Sequence, residues 1–377
     1  MLLRRADFAR QLLGWYDRSQ RSLPWRGNCA HPAPTAYHVL VSEFMLQQTQ
    51  VATVIPFFNR FIAAFPTFSE LARADEQQVL RHWQGLGYYT RARSLLKAAR
   101  QVVRDHGGEL PGDVGELQKL AGIGRYTAGA VSSIAFGKRA PILDANVTRV
   151  LCRLDRIESD PRDRAVREVL WKRAEEILPE RRVGDFNSAM MELGALICIP
   201  RAPRCELCPV RRHCQALAAG LAQQIPAPRA KPAVPLLRRQ TFCIQNRNRW
   251  LIEQRPATGR WAGMWQFITR PSDEPHRLPL KTTLPRRIGS VSHTLTHRRY
   301  EFEVFACTAR GAKPRAVDVP TRWTTLPGLR DFPLPGPHVH IASMLRDRPR
   351  NGSPRSLRPK NSGLTTEARR TWRNQQI

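Results

Sequence analysis

The sequence has no long hydrophobic run and comparatively few acidic residues. No apolar stretch approaches the ~20 residues that a helix needs to cross a bilayer, and the first residues lack the apolar core and cleavage site of a signal peptide. The 31 Asp and Glu residues are outnumbered by 61 Lys and Arg residues, which gives a net charge of +30. We therefore expect a soluble intracellular protein. Its positive charge would attract both phosphate backbones and anionic lipid, so the charge alone does not show which of them the protein binds.

Proline and a change in hydrophobic period divide the 377 residues into regions. Up to residue 222, apolar residues recur every three or four positions, which is typical of helices. Residues 223–237 contain four prolines, which predicts a semi-extended linker. Residues 238–345 show short alternating stretches, which favour a domain of mixed strand and helix. Residues 346–377 have few apolar side chains, so we expect a disordered basic tail.

Half of the eight cysteines form a compact group. Cys198, Cys205, Cys208 and Cys214 have the spacing C-x6-C-x2-C-x5-C, and four thiolates so close in sequence can converge on one centre. Thiolate ligands suit either a [4Fe-4S] cluster or tetrahedral zinc. Four buried thiols without metal are a weaker alternative, and disulfides are not expected in a reducing compartment.

A glycine-containing turn is followed by an isolated carboxylate. In LAGIGRYTA, residues 120–128, Gly122 and Gly124 permit a tight hairpin whose exposed N–H groups suit a phosphate. Asp144 comes twenty residues after Gly124 and opens a new helix. Each feature has a simpler interpretation when taken alone, as a plain turn between helices or as a helix N-cap.

Glu43 is a carboxylate in an otherwise apolar helical stretch, between Leu40 and Val51. Charged side chains are rarely buried without a functional or pairing reason. Burial would raise its pKa and keep it protonated near neutral pH, as a general acid requires. The alternative is that Glu43 lies on the solvent face of its helix, which the sequence alone leaves open.

These features together resemble a known family. Residues 41–51 (VSEFMLQQTQV) and 85–93 (GLGYYTRAR), with the hairpin, Asp144 and the cysteine loop in that order, resemble the MutY adenine DNA glycosylases of the endonuclease III superfamily. The resemblance covers residues 7–222 and, more loosely, the C-terminal domain. It implies an all-α helix-hairpin-helix glycosylase region, with a six-helix barrel lobe and an iron-sulfur cluster lobe, followed by an α+β Nudix-like domain. It also favours the [4Fe-4S] cluster over zinc.

The resemblance implies a role for each site residue. Glu43 would protonate adenine, Asp144 would stabilise the sugar cation, and Tyr126 and Asn146 would support the sugar. Related lyases have a Lys at the position of Tyr126, and because a phenol cannot form an imine, hydrolysis without strand cleavage is favoured. The residues expected to line the adenine pocket are Leu23, Trp25, Arg26 and Val51.

The partner implied by the family is double-stranded DNA in which adenine lies opposite 8-oxoguanine or guanine. A monomeric, bacterial cytoplasmic enzyme associated with the nucleoid, without membrane contact, is expected. Base flipping requires side chains that fill the gap left in the duplex. The residues that the resemblance assigns to DNA and the mispair are Gln48, Thr49, Leu86, Tyr88, Gly122, Gly124, Thr296 and His297.

The chain departs from the family in several places. The family's Phe-Ser-His loop, which reads oxidised guanine, is here Leu295-Thr296-His297, and it lacks the aromatic ring. Ala145 and Ser188 replace the usual Gly and the usual Glu or Gln. No Glu-rich helix of the kind that binds Mg²⁺ in Nudix hydrolases is present, so nucleotide hydrolysis is not expected. The competing hypotheses are an endonuclease III-like lyase and a non-enzymatic zinc-dependent DNA-binding protein.

Overall fold

The computed structural model describes residues 5–26, 35–227, 233–273, 278–295, 297–311 and 319–347. The chain forms two compact units, residues 1–74 with 90–231 and residues 75–89 with 232–377. Of the predicted tail, residues 348–377 lie outside the described residues. Within the described residues, no helix is long and apolar enough to cross a membrane.

The regular elements described in the first unit are all helices. Short 3-10 turns at Cys205–Leu207 and Arg211–His213 shape the cysteine loop. Of the α-helices described before the sheet, only α5 belongs to the second unit. These helices are α1 (Arg5–Ser19), α2 (Ala36–Leu46), α3 (Val51–Ala64), α4 (Phe68–Arg73), α5 (Glu76–Trp83), α6 (Thr90–His106), α7 (Val114–Lys119), α8 (Arg125–Phe136), α9 (Ala145–Leu154), α10 (Arg164–Glu176), α11 (Val183–Leu196) and α12 (Gln215–Ala218).

Local sequence explains where several helices begin and end. The Thr35 side chain caps α2 by accepting from the His38 N–H, and Asp113 caps α7 by accepting from two backbone N–H groups. Gly137 ends α8 in the left-handed conformation, with φ +64°, which glycine adopts without steric cost. These caps satisfy backbone groups that a helix cannot satisfy internally.

The first core forms where α1, α9, α10 and α11 pack together. Phe8 of α1 meets Phe186 of α11 edge to face, with ring centroids 6.1 Å apart, and Leu151 of α9 is fully buried in the same cluster. Gly194 of α11 permits a close approach, because a Cβ there would lie 2.6 Å from the Cβ of Asn146. The packing of α11 therefore fixes the start of α9, where Asp144 lies.

The second unit contains a mixed sheet. Its strand order is β4-β5-β1-β3-β2-β6; β1 and β5 are parallel, and the other described pairings are antiparallel. β1 includes the last two residues of the predicted linker. The strands and the C-terminal helix are β1 (Leu236–Asn246), β2 (Arg249–Gln254), β3 (Trp265–Pro271), β4 (Arg286–Leu295), β5 (Arg298–Thr308), β6 (Thr321–Thr324) and α13 (Gly336–Arg346).

Both faces of this sheet carry apolar clusters. The predicted alternation of Tyr300, Phe302 and Val304 places these side chains in one cluster with Ile341 of α13. Phe305 belongs to the cluster on the other face, because successive side chains of a strand point to opposite faces. The expected combination of an α-helical region and an α+β domain is thus confirmed. The C-terminal helix α13 contains no Asp or Glu residue.

Candidate active site and cysteine centre

A cavity of about 670 Å³ in the helical unit collects ten of the twenty predicted site residues. Its walls come from the segment after α1, from α2, the loop that follows it and the start of α3, from α8, from the start of α9, and from α11. The predicted residues that line it are Leu23, Trp25, Arg26, Glu43, Gln48, Thr49, Val51, Tyr126, Asp144 and Asn146.

Glu43 lies in the wall of this cavity with only 5% of its surface exposed. The alternative of a solvent-facing Glu43 is therefore wrong. Burial raises its pKa to about 7, and the nearby charge of Asp144 acts in the same direction. A hydrogen bond from Tyr126 and the charge of Arg26 oppose the rise. Near neutral pH the carboxyl group is thus divided between its protonated and ionised forms.

Asp144 is the N-cap of α9 and also faces the cavity. Its carboxylate accepts from the Val147 N–H at 2.6 Å and from Asn146 Nδ2 at 3.1 Å. Burial raises the pKa of Asp144, whereas these hydrogen bonds and the charge of Arg149 favour the ionised form. Asp144 therefore caps α9 and also lines the cavity, so its role as a cap does not exclude a role in catalysis.

Arg149 connects the Asp144 loop with the cysteine loop. Its Nη2 donates to Asn146 Oδ1 at 2.8 Å and to the Gly194 carbonyl at 2.7 Å, and its Nε donates to the Cys198 carbonyl at 2.7 Å. Asn146 in turn donates to Asp144. A continuous chain of hydrogen bonds therefore joins the first cysteine to the carboxylate of the cavity.

Tyr126 is the second residue of α8 and projects into the cavity. Burial raises its pKa well above the usual value, and the adjacent carboxylates Glu43 and Asp144 add to the rise. The phenol is therefore neutral and can donate to Glu43. Its Oη also lies 3.3 Å from Met191 Sδ.

The two hairpin glycines have different structural requirements. Gly122 has φ +78°, and a Cβ there would lie 2.5 Å from the Cβ of Ser94 and 3.1 Å from Phe44. Gly124 is exposed, with an extended φ of −90°, and its position would leave a Cβ in open space. Gly124 precedes α8 without any side-chain cap, so the start of α8 presents backbone N–H groups at the surface.

We predict unequal effects of alanine at these two glycines. Gly122→Ala should destabilise the helical unit by roughly 1–3 kcal/mol, because it combines a left-handed backbone with a clash against Ser94. Gly124→Ala should cost less than about 1 kcal/mol. Urea unfolding of the two variants compares them directly, and equal losses of stability would contradict the geometry.

Arg91 holds the loop that follows α2. Its side chain is 8% exposed, and Nη1 donates to the carbonyls of Phe44 and Met45 at 2.9 and 2.8 Å, while Nη2 donates to Thr49 Oγ1 at 3.2 Å. The cation thus neutralises the carbonyl end of α2. Gln48, in the loop so fixed, is exposed with φ +57°.

The four cysteines of the predicted centre line one small cavity of about 30 Å³. Burial raises the pKa of Cys208 to about 12. Arg153 adjoins the thiols, with Nη1 3.3 Å from Cys198 Sγ and 2.8 Å from the Ile199 carbonyl. Within the described residues, no three His, Cys, Asp or Glu side chains are arranged as ligands of one metal ion. Four thiols on one cavity beside a buried cation nevertheless suit an anionic thiolate-bound group.

Comparison with known proteins places the chain in a family. The model of the HhH-GPD superfamily of base excision DNA repair proteins matches residues 41–176, and a NUDIX domain model matches residues 240–344. The adenine DNA glycosylase of Rattus norvegicus is 36% identical over 380 residues, covering 84% of this chain and 74% of that protein. The chain belongs to the adenine DNA glycosylase family.

Other relatives agree with this membership. The adenine DNA glycosylase of Homo sapiens is 35% identical over 84% of this chain and 70% of that protein, and that of Buchnera aphidicola subsp. Baizongia pistaciae is 35% identical over 77% and 83%. Among solved structures, a thermostable thymine-DNA glycosylase superposes with a TM-score of 0.51 at 29% identity, covering 57% of this chain and 97% of that one. The predicted fold, a helix-hairpin-helix glycosylase region followed by a Nudix-like domain, is confirmed.

Three further predicted residues, Leu86, Tyr88 and His297, lie in the second unit. Leu86 is buried, whereas Tyr88 is 44% exposed and has φ +49°. His297 is exposed at the turn between β4 and β5. Thr296 lies outside the described residues. Leu86, Tyr88 and His297 therefore belong to a different compact unit from the residues that line the cavity.

Sequence reasoning missed a second buried carboxylate in the cavity. Glu192 of α11 has a fully buried side chain and binds Arg21 Nε at 2.7 Å and Arg26 Nη2 at 3.1 Å. Burial alone would raise its pKa, but the hydrogen bonds from Arg21 and the charge of Arg26 lower it. The signal was available, because Glu192, like Glu43, interrupts an apolar helix.

Proposed function

We propose that this protein removes adenine from duplex DNA in which adenine lies opposite 8-oxoguanine or guanine, by hydrolysis of the N-glycosidic bond. The observation that carries the proposal is Glu43, a buried carboxyl group with a pKa of about 7, in one cavity with Asp144 and Tyr126. Membership in the adenine DNA glycosylase family supports adenine as the base. The net charge of +30 supports duplex DNA as the partner.

In the proposed reaction, Glu43 acts first as an acid. Its proton passes to N7 of the extruded adenine, which turns a poor leaving group into a neutral one as the bond to the sugar breaks. A pKa near the working pH is the best compromise, because the protonated fraction increases with pKa whereas the tendency to donate decreases. The carboxylate that remains can accept a proton from the water that attacks the sugar, so the acid is regenerated.

Asp144 has the complementary role. The sugar becomes oxocarbenium-like as the base leaves, and an ionised carboxylate beside it stabilises the positive charge. The hydrogen bonds from Val147 and Asn146 support this ionised form. Tyr126 stays neutral and donates to Glu43, which supports the carboxylate formed after proton transfer.

The adenine pocket is proposed from the same cavity. Leu23 and Trp25 are buried, and Trp25 packs edge to face against Phe58 with ring centroids 5.2 Å apart. Arg26 is held by Glu192, and Val51 begins α3 at the cavity wall. An apolar wall with one fixed cation suits a flat, hydrogen-bonding base.

We propose that a second set of residues contacts the mispair, and two of them, Gln48 and Thr49, also line the cavity. Gln48 and Tyr88 both have left-handed backbones, a conformation that costs non-glycine residues about 1–3 kcal/mol and that clusters at functional sites. Leu86 and His297, with Thr296, complete the proposed set. Thr49 is held by Arg91, and Gly122 and Gly124 would bring the hairpin N–H groups to a phosphate.

The four cysteines would hold a [4Fe-4S] cluster in a structural role. Such a cluster, when bound, would link the ends of the loop from Cys198 to Cys214, and we propose that the loop so held forms a surface for DNA. No step of the proposed hydrolysis passes through it. We propose that the protein acts on DNA as a monomer.

The proposal is tested by single-turnover cleavage of duplexes with adenine opposite 8-oxoguanine, guanine or thymine. Strand breaks that appear only after alkali, and only opposite 8-oxoguanine or guanine, are the expected result, since Tyr126 offers no amine for a lyase reaction. Breaks without alkali would favour the lyase hypothesis. No loss of adenine from any duplex would refute the proposed activity.

The pKa of Glu43 predicts the pH dependence of excision. Because Glu43 must be protonated to act, the single-turnover rate should decrease about tenfold per pH unit above a pKa of about 7. Below that pKa the rate should stay level until Asp144 becomes protonated. Rates measured from about pH 5.5 to about pH 9 on one duplex test this, and a rate that increases through neutral pH would contradict the assigned role.

A further inference from the structure

We infer that Gln84 positions the segment that carries Tyr88 by fixing it to the C-terminal domain. This inference rests on the proposed function, in which Tyr88 lies beside the base opposite adenine. Residues 85–89 are called here the opposite-base loop. Although residues 75–89 are continuous with the helical region in sequence, they belong to the same compact unit as the C-terminal domain.

One face of α5 makes the contacts with that domain. Gln77, Arg81 and Gln84 are separated by four and three positions, so they lie on the same side of a helix. Gln77 Nε2 donates to the Gly263 carbonyl at 3.1 Å, and Gln84 Oε1 accepts from the Leu334 N–H at 2.8 Å. Arg81 forms an exposed ion pair with Asp331 at 4.0 Å, and such a pair is weak in water.

The partners of both glutamines are themselves fixed. The Gly263 carbonyl also accepts from Gln254 Nε2 at 2.9 Å, and the Gly263 N–H donates to the Pro256 carbonyl at 2.9 Å. Leu334 is 3% exposed and lies in the apolar cluster beneath α13. The two hydrogen bonds therefore attach α5 to rigid parts of the C-terminal domain.

The opposite-base loop begins directly after Gln84. This residue is the C-cap of α5, and the loop then passes through left-handed positions at Gly85, Gly87 and Tyr88. Trp83 Nε1 donates to the Gly87 carbonyl at 3.1 Å, which ties the loop back to the end of α5. The loop begins directly after Gln84, and its middle residue is bound to the end of α5. A displacement of Gln84 should therefore move the whole loop.

The same unit contains His297 at the β4–β5 turn. The two segments proposed to contact the opposite base are thus joined in one unit, while Glu43 and Asp144 belong to the other. Loss of the Gln84 hydrogen bond should therefore affect the choice of opposite base and leave the chemistry at adenine intact. Gln84 is a positioning residue in this view, because it acts through Tyr88.

The test compares Gln84→Leu, which removes the acceptor, with Gln84→Glu, which keeps an oxygen for the Leu334 N–H. Single-turnover rates are measured with adenine opposite 8-oxoguanine and opposite guanine. Gln84→Leu should lower the ratio of the 8-oxoguanine rate to the guanine rate at least about fivefold. This change should come from slower excision opposite 8-oxoguanine, while the rate opposite guanine changes less than about twofold. Gln84→Glu should retain the wild-type ratio, as should Arg81→Ala, which alters the same helix face.

Other results would overturn the inference. An unchanged ratio in Gln84→Leu, or an equal decrease of both rates, would show that Gln84 has no specific positioning role. If Gln84→Leu does not fold, as judged by circular dichroism, Gln77→Ala provides the same comparison from the other hydrogen bond of α5. A wild-type protein that removes adenine without preference for 8-oxoguanine would instead refute the proposed function, so the two failures are distinguishable.

Discussion

Replacement of Glu43 by Gln should slow adenine excision by about 10²–10⁴-fold, the contribution typical of a general acid. The amide has nearly the same shape but no proton of suitable acidity, and Tyr126 can still donate to its oxygen. Single-turnover cleavage of a duplex with adenine opposite 8-oxoguanine measures the loss. Affinity for the same duplex, measured by anisotropy, should change little, because the pocket keeps its form.

The same substitution should not destabilise the protein at neutral pH. A pKa raised from 4.5 to about 7 by burial means that ionisation of Glu43 opposes folding, by roughly 3 kcal/mol at about 1.4 kcal/mol per pKa unit. This penalty is absent below the unfolded pKa, grows as pH rises, and is complete above the folded pKa. The Tm of Glu43→Gln relative to wild type should therefore increase between about pH 5 and about pH 8. A variant that is both less stable in mildly alkaline buffer and normally active would refute the assignment of Glu43.

Asp144→Asn should reduce excision by about 10²–10³-fold, the loss typical of removing one electrostatic contact to a transition state. Asn is as good an N-cap as Asp, so α9 should keep its stability. The substitution therefore separates the two roles of this residue. Single-turnover rates and thermal unfolding of the same preparation provide both readouts.

Asp113→Asn is the matched control. Asp113 caps α7 by accepting from the Gly115 and Glu116 N–H groups at 2.8 and 3.1 Å, and it does not line the cavity. Its substitution should leave excision unchanged. If Asp144→Asn excised adenine as fast as Asp113→Asn does, Asp144 would be only a helix cap.

Many features of the site could be predicted because they depend on neighbours in sequence. The hairpin glycines, the position of Asp144 at the start of α9 and the spacing of the cysteines are local properties. The sequence does not decide whether Glu43 is buried, since the helical period places it on one side of α2 without showing what covers that side. In the folded chain Tyr126 and Asp144 lie close to Glu43 in the cavity, which shows that Glu43 does not face solvent.

The ion pair of Glu192 with Arg21 cannot be predicted from the sequence for the same reason. The two residues are 171 positions apart in the chain, and no local pattern pairs a carboxylate of α11 with one particular arginine among many. Arg91 is similar, because its partners are carbonyls at the end of α2, which every helix exposes. Long-range polar contacts of this kind depend on how the helices pack.

The helical first region, the mixed second domain, the cysteine spacing and the family can be predicted from the amino-acid sequence alone. These follow from hydrophobic period, caps and motifs, which act over a few residues. Three other properties depend on the folded chain, namely the pKa of Glu43, the bridge from Cys198 through Arg149 to Asp144, and the association of residues 75–89 with the C-terminal domain. Those properties arise from desolvation and from contacts between distant segments, which the folded chain creates.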